Sequence, residues 1–280
     1  MPWKNLDDNF SLPERDCGDA PIFILAAGWR SGSTLLQRLL VSSGEAIVWG
    51  EPYGRLGLIQ ALTTAALGCR DDWPNDKHFG WDEIFERPQD AWIANLFPHA
   101  KHLKAALTAP LDELIAVPAR ERGFKRFGMK EVRLQGMHAR FLQWAYPNAR
   151  FIFLVRNPYD AWRSARGLGL ATHWSGPVMD HPAKFATHWA RLARSFLSWQ
   201  EPAALHLRFE ELRSIDLDAL AAHCQLDAID GGVMNNVIRG TPGPKNPPLS
   251  YEEERIIRET AGVVAEAYGY TGPTMRRAAG

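Results

Sequence analysis

The stretch ARFIFLVRN, residues 149–157, contains an unbroken apolar run from Phe151 to Val155. A strand with one wet face alternates polar and apolar residues, so a short run without alternation is a strand buried on both faces. PIFILAAG (21–28) has the same character and ends in glycine, while AIVWG (46–50), RFGMK (126–130) and ALHLRFEEL (204–212) read as further short strands. Helical periodicity fills the intervals. Leu35, Leu36, Leu39 and Leu40 share a face in a helix starting near Ser33, with Gly44 as its stop. Leu134, Met137, Phe141 and Trp144 mark another helix, and Pro158 suits the first turn of the next. Phe185, Trp189, Leu192, Phe196 and Trp199 form an apolar stripe over 182–200, and Ile256, Ile257, Val263, Val264 and Tyr268 mark a final helix. Strands alternating with helices predict a parallel sheet covered on both faces.

Such a sheet places ligands at the carboxyl ends of its strands. Three chemistry-bearing side chains, Glu51, Lys130 and Arg156, fall at predicted strand ends, as does the loop GWRSGSTLL (28–36). A glycine-containing turn between a buried strand and a helix traps anions, because backbone N–H groups and the helix dipole converge on it. Arg30 adds a cation there, and Ser31, Ser33 and Thr34 add hydroxyl donors around Gly32. The nucleoside-triphosphate version of this loop is GxxxxGK[ST]. Here the second glycine comes one residue early and Ser33 stands where the lysine would. No aspartate ends an apolar strand to hold magnesium; FIFLV ends in Arg156 instead. The loop suits a shorter anion, held without a metal. A second cluster, FIFLVRNPYDAWRSAR, sets Ser164 eight residues after Arg156, about two helical turns on, where both can serve one phosphate.

At these residues the chain resembles the PAPS-dependent sulfotransferases. GWRSGSTLL is similar to their 5′-phosphosulfate loop, and VRNPYDAWRS to the strand–helix unit that holds the 3′-phosphate. The resemblance implies an α/β, P-loop-like three-layer fold with a central parallel sheet flanked by helices. It implies that 3′-phosphoadenosine-5′-phosphosulfate (PAPS) gives its sulfuryl group to a hydroxyl acceptor, leaving adenosine 3′,5′-bisphosphate (PAP), with no metal. Cofactor contacts would come from Arg30, Ser31, Gly32, Ser33, Thr34, Arg156 and Ser164, with Arg30 also acting on the reacting group. WGEPYGRL resembles the stretch that supplies a glutamate base in Golgi-type and tyrosylprotein members, which implies Glu51 as the base. FGMKEV is similar to a strand whose lysine reaches the bridging oxygen, which implies Lys130 as a second catalytic cation. IRGTPGPK (238–245) loosely resembles the segment that closes over the 3′-phosphate, so Arg239 and Lys245 are further candidate contacts. LRFEEL (207–212) resembles a stretch read as structural.

Composition narrows the partners. Net charge is zero, and a broad nucleic-acid field is not expected. The three cysteines, Cys17, Cys69 and Cys224, are scattered, and the nine histidines form no metal-ligand spacing. The N-terminal stretch MPWKNLDDNF has no signal-peptide core, and no apolar run approaches a membrane span, so the reading is a cytoplasmic protein. Residues 1–20 read as an irregular lead-in and 21–280 as one domain, with 54–124 a mostly helical insertion. That insertion and residues 170–182, including His173 and Trp174, would wall the acceptor site. Their Trp and Phe content suits an aromatic or lipid-like alcohol, and peptidyl tyrosine stays open. A degenerate nucleotide kinase or NTPase is the competing enzyme, and a non-catalytic nucleotide-binding module the competing class. Oligomeric state is not legible.

Overall fold

The computed structural model describes residues 20–51, 56–68, 86–90, 93–95, 101–167, 179–235 and 248–274. Five strands form one parallel sheet: β1 (Ile22–Ala26), β2 (Ala46–Trp49), β3 (Arg126–Glu131), β4 (Arg150–Val155) and β5 (Ala204–Arg208), in the order β2-β3-β1-β4-β5. β1 is central and wholly buried. Gly128 of β3 pairs with Ile22, and a Cβ there would lie 1.9 Å from the Ile22 carbonyl oxygen, so this crossing demands glycine.

Side-chain alternation splits the core into two layers. One contains Ile22, Ile24, Val48, Ile152 and Leu154 against α1 (Ser33–Val41), through Leu36 and Leu40, and against a helix at Leu217–Cys224. The other contains Phe23, Leu25, Phe127, Phe151 and Phe153. It packs against α2 (Leu58–Leu67), α3 (Lys101–Leu111), α5 (Gly136–Ala145), α7 (Pro182–Leu197) and a C-terminal helix (Tyr251–Ala267). Between α3 and α4 (Val117–Arg120), residues Asp112–Ala116 form a π-helical turn. Cys224 is buried and free, and burial pushes its thiol up to about 12, which leaves it inert.

Most elements fall where the periodicity predicts. α1 begins at Ser33, and α6 (Pro158–Gly167) begins at Pro158. In α7, Phe185, Trp189, Leu192 and Phe196 are all buried, and Trp199 beyond its end is too. Two residues differ. Met137 is 38% exposed although it shares a face with the buried Phe141 and Trp144, because it lies in the first turn of α5, which starts at Gly136. Val263 is 83% exposed, while Ile257 and Val264 face the core. Arg239, Lys245, His173 and Trp174, with Cys17 and Cys69, lie outside the described residues.

Candidate active site

The loop between β1 and α1 is bent by three residues in the left-handed region: Gly28 (φ +83°), Arg30 (φ +63°) and Gly32 (φ +87°). Gly32 is required twice over. Its φ disfavours a side chain, and a Cβ would lie 2.1 Å from the Phe209 ring. Arg30 holds the same backbone region without glycine's freedom, a strain of about 1–3 kcal/mol that surrounding contacts must sustain. Two contacts do so. Arg156 Nη1 donates to the Arg30 carbonyl at 2.8 Å, and Arg30 Nε donates to Ser164 Oγ at 3.0 Å. The loop and the second cluster are therefore one structure. No side chain caps α1, so its first N–H groups stay available to a ligand.

The turn that carries Arg156 is fixed from several sides. The Trp189 indole donates to the Arg156 carbonyl at 3.0 Å. Asn157 accepts from the Tyr159 N–H at 3.0 Å and donates its amide to the Gly272 carbonyl at 2.8 Å. Glu210 accepts from the Asn157 N–H at 3.1 Å and the Tyr270 hydroxyl at 2.7 Å. The Arg156 guanidinium lies 4.2 Å from the Phe209 ring centroid. Burial lowers its pKa, offset in part by Asp160 and Glu210. Arg163 pairs with Asp160 at 2.7 Å and Arg166 with Glu253 at 2.6 Å. Arg30 and Arg156, by contrast, have no carboxylate within ion-pair distance among the described residues. Ser31 Oγ and Arg156 Nε are buried with no hydrogen-bond partner among the described residues. Two guanidinium groups unneutralised among the described residues, lining one cleft beside a helix N-terminus, with two orphaned donors in the same segments, fit an anionic ligand.

Beside this loop sits a buried cluster of four charges. Lys130 Nζ donates to Glu51 Oε1 at 2.5 Å. Arg133 Nη1 lies 3.4 Å from Glu51 Oε2 and 2.5 Å from Glu131 Oε1. Glu131 Oε1 also accepts from the Val132 N–H at 2.7 Å. The side chains are 4–13% exposed, so solvent screens them little. β3 sorts them by alternation: Met129 and Glu131 point to one face of the sheet and Lys130 to the other. Burial raises the Glu131 carboxyl above its ordinary value, against the pull of Arg133.

The cluster partitions two cavities. One, about 400 Å³, is lined by Trp29, Arg30, Gly32, Thr34, Glu51 and Arg156, with Phe209 at its floor. The other, about 370 Å³, is mainly apolar, and Gly50 and Glu131 form its inner end.

The structure thus brings Arg30, Gly32, Ser33, Thr34, Glu51 and Arg156 to one cleft, with Lys130 bonded to Glu51 and Ser164 to Arg30, while Ser31 is buried in the same loop and is not among the residues that line the cleft. Thr34 is exposed, while Ser31 and Ser33 are buried. Sequence reasoning missed Arg133 and Phe209. Arg133 follows a strand end without periodic or motif signal. Phe209 lies in the stretch read as structural, and the neighbouring Glu210 does brace the turn after β4.

This fold and cleft define an α/β protein with a cleft at the end of β1 whose donors and cations suit an anionic group. The model of the sulfotransferase family matches residues 21–224, and the chain belongs to that family: it is an enzyme that transfers a sulfuryl group from a donor to an acceptor. The sulfotransferase domain of the Synechococcus PCC 7002 olefin synthase has the same fold, with 17% identity, a TM-score of 0.52, and coverage of 91% of this chain and 96% of that one. The sulfotransferase domain from the curacin biosynthetic pathway aligns with 16% identity and a TM-score of 0.49, over 91% of this chain and 99% of that one. A sulfotransferase from Mycobacterium avium aligns with 13% identity and a TM-score of 0.42, over 90% and 77%. No curated protein matches the sequence. Among the described residues no helix is long and apolar enough to cross a membrane.

Proposed function

We propose that the donor is PAPS, that the acceptor is a hydroxyl group, and that Glu51 is the general base. The observation that carries this reading is the pair of arginines, Arg30 and Arg156, left without carboxylate partners among the described residues, beside the orphaned donors Ser31 Oγ and Arg156 Nε. These residues fit the nucleotide. The 28–34 loop would hold its 5′-phosphosulfate, and Arg156 with Ser164 its 3′-phosphate. When bound, it supplies an activated sulfuryl group on a phosphate leaving group.

The chain's own contribution is positioning and electrostatics, as in phosphoryl transfer. Glu51 Oε1 is engaged by Lys130, whereas Oε2 meets Arg133 only at 3.4 Å. Oε2 is therefore the freer acceptor for the proton of the attacking hydroxyl. A free glutamate carboxyl ionises roughly six units below a phenol, so the proton must leave as the new S–O bond forms. Lys130 and Arg30 would stabilise negative charge shifting onto the leaving phosphate.

Calorimetric titration with adenosine 3′,5′-bisphosphate and with ADP, each with and without magnesium, tests the donor reading. Tight, magnesium-independent binding of the bisphosphate with weak ADP binding is expected. Magnesium-dependent ADP binding with no preference for the 3′-phosphate would refute the roles of Arg156 and Ser164.

A further inference from the structure

The apolar cavity lies across the charge cluster from the cleft assigned to the donor. Its wall is built from the end of β2, the start of α2, the π-helical turn and the end of β3: Trp49, Leu58, Ile59, Leu114, Met129 and Leu134. The π-helical turn is an independent sign of a functional wall, since single π turns inside helices cluster at such sites. Here two polar contacts hold it in place. The Trp49 indole donates to the Ile115 carbonyl at 2.8 Å, and the Tyr146 hydroxyl donates to Asp112 Oδ1 at 2.7 Å. Gly50, part of the wall, directly precedes Glu51.

We propose that this cavity is the acceptor site and that it takes a small, uncharged, largely hydrocarbon alcohol or phenol rather than a peptide or a polysaccharide. The proposal rests on the reading of Glu51 as base and names the acceptor class for it. Size is the first argument. About 370 Å³ lies at the lower end of small-molecule pockets and holds a compact ligand. Chemistry is the second. A buried peptide or sugar needs a hydrogen-bond partner for each amide or hydroxyl. Of the polar lining side chains, Glu131 already serves Arg133 and the Val132 N–H, which leaves Gln60, Glu113 and Arg122, too few for every group of a buried peptide or sugar. Charge is the third. The inner end, where Glu131 is the charged lining residue, offers no cation among its lining residues to an anionic acceptor, while Glu113 and Arg122 of the lining are both exposed. An alcohol entering past them would place its apolar body on Leu58, Leu114 and Met129 and its hydroxyl toward Glu51.

The probes are 2-naphthol, the primary alcohols from 1-butanol to 1-octanol, and a short tyrosine-containing peptide, acetylated and amidated at its ends. Binding of 2-naphthol is read by its own fluorescence with adenosine 3′,5′-bisphosphate present, and turnover is read with PAPS. The wild type should bind 2-naphthol, and kcat/KM should rise toward the figure of about fourfold per buried methylene along the alcohol series. Leu114→Trp, which fills the cavity from its half-exposed wall, should weaken 2-naphthol binding at least about tenfold. The same variant should keep its affinity for the bisphosphate within about twofold, which reports an intact fold and cleft. Ile59→Phe repeats the test from another element. Naphthol binding unaffected by both substitutions, or the peptide as the better acceptor, would overturn the proposal. The base reading fails separately: full turnover in Glu51→Gln refutes that role, while naphthol binding still supports the cavity.

Discussion

Arg133 joins the two buried carboxylates, and its removal has a calculable consequence. Its Nη1 lies 2.5 Å from Glu131 and 3.4 Å from Glu51, with its side chain 7% exposed. At an effective dielectric near 20 those separations correspond to gross attractions of about 7 and 5 kcal/mol. Desolvation of all three groups offsets most of that sum. What Arg133→Met removes is compensation for a Glu131 carboxylate that stays buried, and breaking such a pair costs about 3–5 kcal/mol. For a domain of this size that lowers Tm by roughly 6–20 °C. Burial already raises the Glu131 carboxyl, so the folded protein holds its proton to higher pH than the unfolded chain. Stability contributed by that group therefore falls as pH rises above its ordinary value, and the fall should steepen without Arg133. Calorimetric melting at several pH values reads both effects. Arg133→Met/Glu131→Met should recover most of the loss, because Glu131 borders Met129 and Leu134 along an apolar wall. A double variant no more stable than Arg133→Met, or an Arg133→Met protein that melts like the wild type, would refute the reasoning.

Three further outcomes are expected. Glu51→Gln should lower single-turnover sulfuryl transfer about 10²–10⁴-fold while calorimetry shows bisphosphate affinity nearly unchanged, since the amide keeps an acceptor for Lys130. Gly32→Ala should weaken bisphosphate binding and destabilise the fold, with about 1–3 kcal/mol from its φ of +87° and more from the Phe209 ring; unchanged melting would contradict the geometry. Burial depresses His188 to about 4, so on acidification the unfolded chain gains a proton near 6.5 that the folded protein refuses. Stability should fall between pH 6.5 and 4 by at most about 3 kcal/mol, and His188→Gln should flatten that slope in urea unfolding.

Much of the frame was legible because its signals are local. The Phe151–Val155 run needs burial on both faces wherever it lies, and Gly32-Ser33 ends a loop and starts a helix by backbone preference alone. The two motifs named the loop and the Arg156–Ser164 unit for the same reason: each is one strand, one turn and one helix. Periodicity failed at Val263, where a single helical step decides the face, and at Met137, which lies in the first turn of its helix. Arg133 was invisible because its meaning depends on distant neighbours. Glu51 lies 82 positions away in the chain and meets it only because β2 pairs with β3. The sequence by itself determined which residue types stand at the strand ends, and its two motifs carried the resemblance to the sulfotransferases. Only the tertiary structure decided that, among the described residues, Arg30 and Arg156 go unneutralised while Arg163 and Arg166 do not. Only it decided that Lys130 and Glu131 part to opposite faces, and that an apolar cavity opens beside Glu51. The reason is physical: backbone preference acts within a few residues, whereas pairing, desolvation and cavity shape are set by side chains that meet only once the sheet has formed.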